Sequence, residues 1–268
     1  MENRIDNCFA KLRSAKRRGF IPYICAGDPN LKRTADLASA LEKAGADLLE
    51  LGLPFSDPLA DGIVNQLAAE RALTAGSTIL GLFDCVREIR RKSQIPLVLY
   101  SYLNPIFQFG VDKFHDQAAK AGVDGLLILD LPPEEDLDAS HRSVLHIRLI
   151  APTTSPERIK SIAGSAGGFL YYVSREGVTG AQQSIAGSLK EKVGELRKQS
   201  ELPIAVGFGI SNPDQAREVA RVADAVVVGS AIVDLIAQHG DKPEMIDRVA
   251  AFARELADAI HAEGTIPA

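Results

Sequence analysis

The central stretch of this sequence is Asp47-Leu-Leu-Glu50-Leu-Gly-Leu-Pro-Phe-Ser-Asp57-Pro-Leu-Ala-Asp61-Gly-Ile-Val-Asn-Gln66. It opens as a buried strand in which four leucines surround a single acid, Glu50. A carboxylate in such a run is unfavourable unless it is paired, solvated in a pocket or used chemically. Two prolines and a glycine then indicate an irregular loop, which carries Asp57 and Asp61. An acid on a strand end and an acid on the following loop can face one ligand, so Glu50 and Asp61 are candidates for a catalytic pair.

Each of these two acids also has a purely structural interpretation. Glu50 is alternatively a buried acid paired with a lysine or arginine. Asp61 is alternatively a turn residue, because Asp-Gly is a common turn dipeptide.

Strand-like and helix-like patterns alternate along the whole chain. We predict strands at 20–25, 47–53, 95–100, 124–129, 147–151, 169–173, 203–206 and 225–228. Helical patterns cover 2–18, 31–44, 65–75, 78–92, 111–121, 134–144 and 243–262, and others begin at Ser155 as an N-cap, after Gly187, after Ser211-Asn-Pro213 and at Gly229. The segment 101–110 and the glycine- and serine-bearing segment before Gly187 are interpreted as loops.

Eight strands, each followed by a helix, favour an α/β protein in which a (β/α)8 TIM barrel forms a single domain over residues 1–268. The first helix is expected to plug the bottom of the barrel, and extra helices follow the last strand. Weak internal repeats precede three strands, at Gly45-Ala-Asp47, Gly122-Val-Asp124 and Val222-Ala-Asp224. An open doubly wound sheet is the alternative, but no Gly-x-Gly-x-x-Gly follows the first strand.

Charge and hydrophobicity argue against several classes of partner and location. The net charge is −5 with no basic cluster, so nucleic acid and anionic membranes are unsuited partners. No apolar run reaches the length of a transmembrane helix, and the acidic N-terminus resembles neither a signal nor a transit peptide. We therefore expect a cytoplasmic protein, or a stromal one if the source carries plastids.

The cysteines and histidines show no metal spacing, so no metal site is predicted. The cysteines, expected to be reduced thiols, are Cys8, Cys25 and Cys85. The histidines, expected to be surface or capping residues, are His115, His141, His146, His239 and His261.

Glycines at the ends of the last two strands suggest an anion site. Gly209 follows the seventh strand, and Gly229-Ser230 follow the eighth and begin a helix. Backbone N–H groups and a helix N-terminus favour phosphate there, a recurrent arrangement in barrels, although ordinary strand-to-helix turns have the same composition. The loop Ser174-Arg-Glu-Gly-Val-Thr179-Gly180-Ala suits a lid over a substrate, or else a flexible surface loop.

The motifs together resemble those of the tryptophan synthase alpha subunit family. The stretch Glu50-Leu-Gly-Leu-Pro-Phe-Ser-Asp-Pro-Leu-Ala-Asp-Gly62 carries the resemblance most strongly. Four further blocks occur in the family's order, namely Pro22–Pro29, Ser174–Ala181, Gly207–Ser211 and Gly229–Val233. The resemblance covers nearly the whole chain.

The resemblance implies a lyase that cleaves indole-3-glycerol phosphate into indole and glyceraldehyde 3-phosphate. It implies no cofactor in this chain and a partner β subunit, carrying pyridoxal phosphate (PLP), in an α2β2 heterotetramer. It makes Glu50 the general acid/base, Asp61 the acid that holds the indole N–H, and Tyr171 rather than Tyr172 the active-site tyrosine. The implied phosphate ligands are Gly180, Gly209, Gly229 and Ser230, and the implied indole pocket is Tyr23, Tyr100, Leu127, Ile150, Phe208 and Val227.

The retro-aldol chemistry suits these two acids on its own terms. Protonating the indole C3 makes the ring a good leaving group and places positive charge on N1, which a fixed carboxylate stabilises. A carboxyl whose pKa is raised by an apolar strand environment can serve as both acid and base.

The chain departs from the family pattern at three places. Ile63-Val-Asn65 replaces a proline-containing segment, Cys25 replaces a usual threonine, and Pro105 lies in a loop that commonly contacts the β subunit. Two alternatives to the family's function stay open, a stand-alone lyase that releases free indole and a non-catalytic allosteric barrel.

Overall fold

A computed structural model describes residues 3–135, 143–174, 182–207 and 209–264, with the side chains of 182–188 excepted. Eight parallel strands close into a barrel in sequence order, and the first strand pairs with the last. They are β1 (Gly19–Cys25), β2 (Leu49–Gly52), β3 (Leu97–Ser101), β4 (Gly125–Ile128), β5 (Leu145–Ile150), β6 (Leu170–Val173), β7 (Ile204–Gly207) and β8 (Ala225–Val228). The predicted barrel is confirmed, and the open sheet is excluded.

Helices surround the barrel in the described part of the chain. They are α1 (Arg4–Ser14), α2 (Leu31–Lys43), α3 (Ile63–Thr74), α4 (Ile79–Arg90), α5 (Leu103–Phe109), α6 (Val111–Ala121), α7 (Pro156–Gly164), α8 (Gln182–Gln199), α9 (Pro213–Ala220), α10 (Ser230–His239) and α11 (Met245–His261). Ser155 caps α7 through the N–H of Arg158, as predicted. No helix among these residues is long and apolar enough to cross a membrane.

Helix α1 closes the N-terminal end of the barrel, as predicted. Its buried residues Ile5, Phe9 and Leu12 recur at helical spacing and pack into the cluster that fills the barrel interior. The ring of Phe9 lies 5.5 Å from that of Phe169. The opposite, C-terminal end of the barrel is therefore the end left for chemistry.

Three helix predictions were wrong or incomplete. Residues 103–109 form α5 although Pro105 stands there, because the first-turn N–H groups of a helix have no intrahelical partner and proline is tolerated. Helix α8 begins at Gln182 rather than after Gly187. The helix predicted over 134–144 falls mostly outside the described residues, and its described ends, 134–135 and 143–144, are not helical.

The three weak repeats have one structural role, which is to connect the beginnings of neighbouring strands through an aspartate side chain. Asp47, Asp124 and Asp224 each accept the N–H of the first residues of the preceding strand, at 2.9, 2.8 and 2.9 Å. Each also pairs with arginine at the N-terminal end of the barrel. The repeat therefore stabilises the end of the barrel opposite the site.

The expectation for the cysteines is confirmed. That for the histidines is wrong at one position among the described residues, which do not include His141. Cys8, Cys25 and Cys85 are free thiols. His115 is fully buried on α6, and its ring stacks on that of His146 at 5.3 Å. It lies on the apolar face of that helix beside Phe114 and Ala118, so the face, not residue type, decided its burial. No group of three metal-binding side chains lies together within the described residues.

Candidate active site

Alternation along the strands directs most of the predicted site residues that lie on strands into the barrel. Leu49 and Leu51 belong to the outer core between sheet and helices, so Glu50 between them faces inward. Leu127 and Val227 lie in the interior cluster, and Tyr100 and Tyr171 pack against it. Tyr23 lies beside Tyr100 near the C-terminal end, with ring centroids 5.2 Å apart.

Glu50 is a buried acid without a salt-bridge partner among the described residues. Its side chain is 2% exposed, and the structure gives it neither a lysine nor an arginine. Burial, and then the negative charge of Asp61, raise the pKa of Glu50 to about 8. Among the described residues, no basic partner supports the interpretation of Glu50 as half of an ion pair, and its raised pKa suits it to exchange a proton near neutral pH.

Asp61 is held from two sides. The Tyr100 hydroxyl donates to Oδ1 at 2.7 Å, and the Tyr102 hydroxyl donates to Oδ2 at 3.0 Å. The Gln66 amide donates to the Asp61 carbonyl at 2.8 Å. Burial raises the pKa of Asp61, and hydrogen bonds from Tyr100, Tyr102 and Asn65 oppose that rise. Asp61 is thus more than a turn residue, because its carboxylate points into the barrel mouth.

The two adjacent tyrosines of β6 face opposite ways. Tyr171 packs against the interior cluster, whereas Tyr172 lies in the outer cluster beneath α7 and α8. Burial, then the charges of Glu50 and Asp61, raise the pKa of Tyr171, which places its hydroxyl near both acids. The resemblance therefore indicated the inward-facing tyrosine.

Ile150 does not join the other residues of the predicted indole pocket. It is paired in register with Tyr172 and lies in the same outer cluster, so it faces the helices. Its neighbour Leu149, paired with Tyr171, packs against the barrel interior, as Ile147 and Leu145 of the same strand do. The assignment of Ile150 to the pocket is therefore corrected by one residue, to Leu149. A shift of one residue moves a side chain to the other face of a strand.

Two glycines leave room for the tyrosine rings. A Cβ at Gly52 would lie 2.2 Å from the Tyr23 hydroxyl oxygen, and a Cβ at Gly207 would lie 2.5 Å from that of Tyr171. Both positions therefore need glycine for the rings to lie where they do. Neither glycine was among the predicted site residues.

Three of the four residues predicted to bind phosphate, Gly209, Gly229 and Ser230, lie after the ends of β7 and β8. Gly209 has a φ of 64°, in the left-handed region that favours glycine. Gly229 precedes α10, and Ser230 is its first residue, so the first N–H groups of α10 have no intrahelical partner. Gly180, Thr179 and Phe208 lie outside the described residues.

Two residues on Asp61 were missed from the sequence. Tyr102 donates to its carboxylate, and Asn65, in the first turn of α3, lowers the pKa of Asp61. The spacing Tyr100-Ser-Tyr102 at the end of β3 was the available signal, since alternate strand residues share a side.

The assembled site combines an acid that exchanges protons near neutral pH with a carboxylate held by phenols. Apolar and aromatic walls surround them, and an anion-favouring helix N-terminus lies at the same end of the barrel. Such a site suits proton transfer to and from an aromatic substrate that carries a phosphate.

Comparison with known proteins points to one family. Residues 9–261 match the family described as tryptophan synthase alpha chain. The tryptophan synthase alpha chain of Opitutus terrae is 49% identical over 95% of this chain and 97% of its own, and that of Geotalea daltonii is 51% identical over 89% and 92%.

Solved structures agree with the sequence comparison. The tryptophan synthase alpha subunit of Legionella pneumophila superposes with a TM-score of 0.89 at 40% identity, covering 97% of this chain and 99% of its own. A tryptophan synthase structure from Mycobacterium tuberculosis superposes with a TM-score of 0.85 at 31% identity, covering 97% and 100%. The chain belongs to the tryptophan synthase alpha chain family.

Proposed function

We propose that this chain is a lyase that cleaves indole-3-glycerol phosphate into indole and glyceraldehyde 3-phosphate, as the alpha subunit of a tryptophan synthase. The observation that carries the proposal is the pair of acids at the barrel mouth. Glu50 has a pKa of about 8, and the ionised form of Asp61 accepts two phenol hydrogen bonds.

Glu50 acts first as an acid and then as a base. Its carboxyl protonates the indole C3, and the positive charge that develops on N1 is stabilised by Asp61. The resulting carboxylate takes the proton of the hydroxyl on the carbon bonded to C3. That C–C bond then breaks, its electrons return to the ring, and the alkoxide becomes the aldehyde. The proton donated to C3 is balanced by the proton removed from the hydroxyl.

The other predicted residues bind and orient the substrate. Tyr171 lies near both acids at the reacting carbon, and Tyr23, Tyr100, Leu127 and Val227 form walls for the ring. We assign the phosphate to the N–H groups of Gly209, Gly229 and Ser230, together with Gly180. Thr179 on the lid and Phe208 in the pocket complete the assignment.

A partner β subunit is proposed for an apolar surface beside the Asp61 loop. The large hydrophobic residues exposed there are Leu59, Ile63, Leu67, Leu73, Leu80 and Phe107. They belong to that loop, to α3, to the start of α4 and to α5. These elements surround a groove of about 250 Å³ that is lined in part by Pro54, Phe55 and Pro105. Exposed apolar clusters commonly mark protein interfaces. We expect an α2β2 heterotetramer with PLP in the β subunit, in the cytoplasm.

The test is to assay the purified chain with indole-3-glycerol phosphate, alone and with a tryptophan synthase β subunit. Release of glyceraldehyde 3-phosphate that is slow alone and faster in the complex supports the proposal. Equal rates in both conditions identify a stand-alone lyase. No cleavage in either condition, with binding to the β subunit retained, identifies a non-catalytic allosteric barrel.

A further inference from the structure

The Asp61 carboxylate is attached to the barrel wall as well as to its own loop. Tyr100 is an inward residue of β3, and its hydroxyl lies 2.7 Å from Oδ1 of Asp61. Tyr102 contacts the other carboxylate oxygen, but its hydroxyl also accepts the Ala60 N–H at 3.0 Å. Tyr102 is therefore tied to the loop that it holds, whereas Tyr100 connects the loop to a strand.

The surroundings of Tyr100 direct its hydroxyl to this one contact. The ring packs against the interior cluster and meets the ring of Tyr23 at an interplanar angle of 68°. The hydrogen bond to Asp61 is the one polar contact that the described residues give this hydroxyl. Its function is therefore not shared with a second acceptor.

The carboxylate keeps room for a substrate. An ionised carboxylate offers about four acceptor positions. Tyr100 and Tyr102 use two of them, which leaves room for a ring N–H. The hydroxyls approach separate oxygens, so they fix the orientation of the carboxylate as well as its charge.

We propose that Tyr100 is a positioning residue that acts through Asp61, holding this carboxylate ionised and aimed at the substrate's ring N–H before the substrate arrives. This proposal deepens the proposed function and rests on it only for the identity of the N–H donor. Tyr100 thus has a polar task beyond the apolar wall that the sequence predicted.

Within the described residues, the other titratable groups that act on Asp61 supply no positive charge. They are Glu50, Tyr23, Cys25, Tyr102 and Tyr171. Burial raises the pKa of each, and Tyr102 is the one of the five that donates a hydrogen bond to the carboxylate. Removal of the Tyr100 hydroxyl should therefore change the pKa of the Asp61 carboxyl.

The direct test is the titration of Asp61 without substrate. The ¹³Cγ resonance of Asp61 in labelled protein is assigned by its loss in Asp61→Asn and followed against pH by NMR. Because the hydrogen bond stabilises the ionised form, Tyr100→Phe should raise the pKa of Asp61 by about one unit. Tyr172→Phe removes a matched hydroxyl from the outer face of β6 and should leave the titration unchanged.

An unchanged Asp61 titration in folded Tyr100→Phe overturns the proposal, because a merely structural tyrosine would not move this value. Circular dichroism checks the fold, and Tyr100→Met is the second variant if the phenylalanine packs poorly. Tyr102→Phe should shift the pKa in the same direction, and the double variant should shift it further.

Kinetics separate this proposal from the proposed function. If wild-type protein cleaves indole-3-glycerol phosphate, Tyr100→Phe should lower kcat/KM about tenfold, mainly through kcat, because charge develops on the ring nitrogen in the transition state. A loss confined to KM contradicts the positioning role. If wild type does not cleave this substrate but the Asp61 titration shifts, the function is wrong and the positioning of Asp61 stands.

Discussion

At the scale of single residues, the surroundings of each carboxyl group determine what it can do in the site. Glu50 faces the barrel interior because Leu49 and Leu51 face the helices. Burial there makes the charged form unfavourable, so the proton is retained to about pH 8. Burial also raises the pKa of Asp61, but the hydrogen bonds from Tyr100 and Tyr102 favour its charged form and oppose that rise. The two acids therefore have different environments in one pocket, which suits them to different roles.

Glu50→Gln should lower kcat by at least about 10²–10⁴-fold while the fold stays intact, because the amide can neither donate nor accept the transferred proton. Indole release under saturating substrate is the measurement, with circular dichroism as the check on folding. Asp57→Asn is the matched control, since Asp57 is an exposed acid of the same loop. Retention of a tenth or more of wild-type turnover in Glu50→Gln would exclude Glu50 as the acid/base.

Sequence reasoning reached some of these residues and missed others for identifiable reasons. Glu50 stood out because one acid interrupts an apolar strand, a pattern that needs no tertiary information. Ile150 was assigned to the pocket through the resemblance alone, whereas the register with β6 pairs Leu149 with the inward Tyr171 and Ile150 with the outward Tyr172. The roles of Gly52 and Tyr102 depend on contacts between different strands and loops, which no local pattern records.

At the scale of elements, the barrel separates stability from chemistry along its axis. The three aspartates of the weak repeat lie where strands begin, and the turns proposed to bind phosphate lie where β7 and β8 end. Asp124 is the most buried of the three, since it is 3% exposed, and it pairs with both Arg4 and Arg90. Strand periodicity predicted all eight strands, whereas α5 was missed because seven residues with a proline resemble a loop.

Asp124→Asn should lower the free energy of unfolding by roughly 3–5 kcal/mol, because Arg90 is left largely buried beside an uncharged partner. Urea denaturation measures this value. Asp84→Asn removes a surface pair with Arg87 and should change it by less than about 1 kcal/mol. The KM for substrate should stay at its wild-type value in folded Asp124→Asn, and a raised KM would show that the two ends of the barrel are coupled.

Gly209→Leu should raise the KM for indole-3-glycerol phosphate much more than it weakens the binding of indole. The side chain would cover the backbone N–H groups assigned to phosphate and would strain a φ of 64°. Gly76→Leu is the control for strain alone, since Gly76 has a φ of 83°, open space around it and a position between α3 and α4. Equal loss of indole and substrate binding in Gly209→Leu would contradict the phosphate assignment.

At the scale of the whole molecule, one end of the barrel is closed and the other offers both the site and an apolar surface. Helix α1 fills the N-terminal end with Ile5, Phe9 and Leu12. At the other end, the loop that carries Asp61 also carries Leu59, which is 82% exposed, and Phe107 on neighbouring α5 is 66% exposed. A partner bound to this surface would contact the loop that positions a reacting group. Docking and catalysis thus share a segment, which makes coupling between them a physical expectation.

We predict that the isolated chain is a weak lyase and that a β subunit activates it by favouring the closed arrangement of the Asp61 loop and the lid. Thr179→Val should lose most of that activation but still form the complex, because it removes the hydroxyl that we expect to hydrogen-bond to Asp61 in the closed state.

Phe107→Asp should instead abolish complex formation, while the slow cleavage by the isolated chain continues. Calorimetric titration with the β subunit measures binding, and indole release with and without it measures activation. Full activation of Thr179→Val by the β subunit would show that the Thr179 hydroxyl is not needed for activation. An isolated wild-type chain as fast as the complex would make the stand-alone lyase the better account.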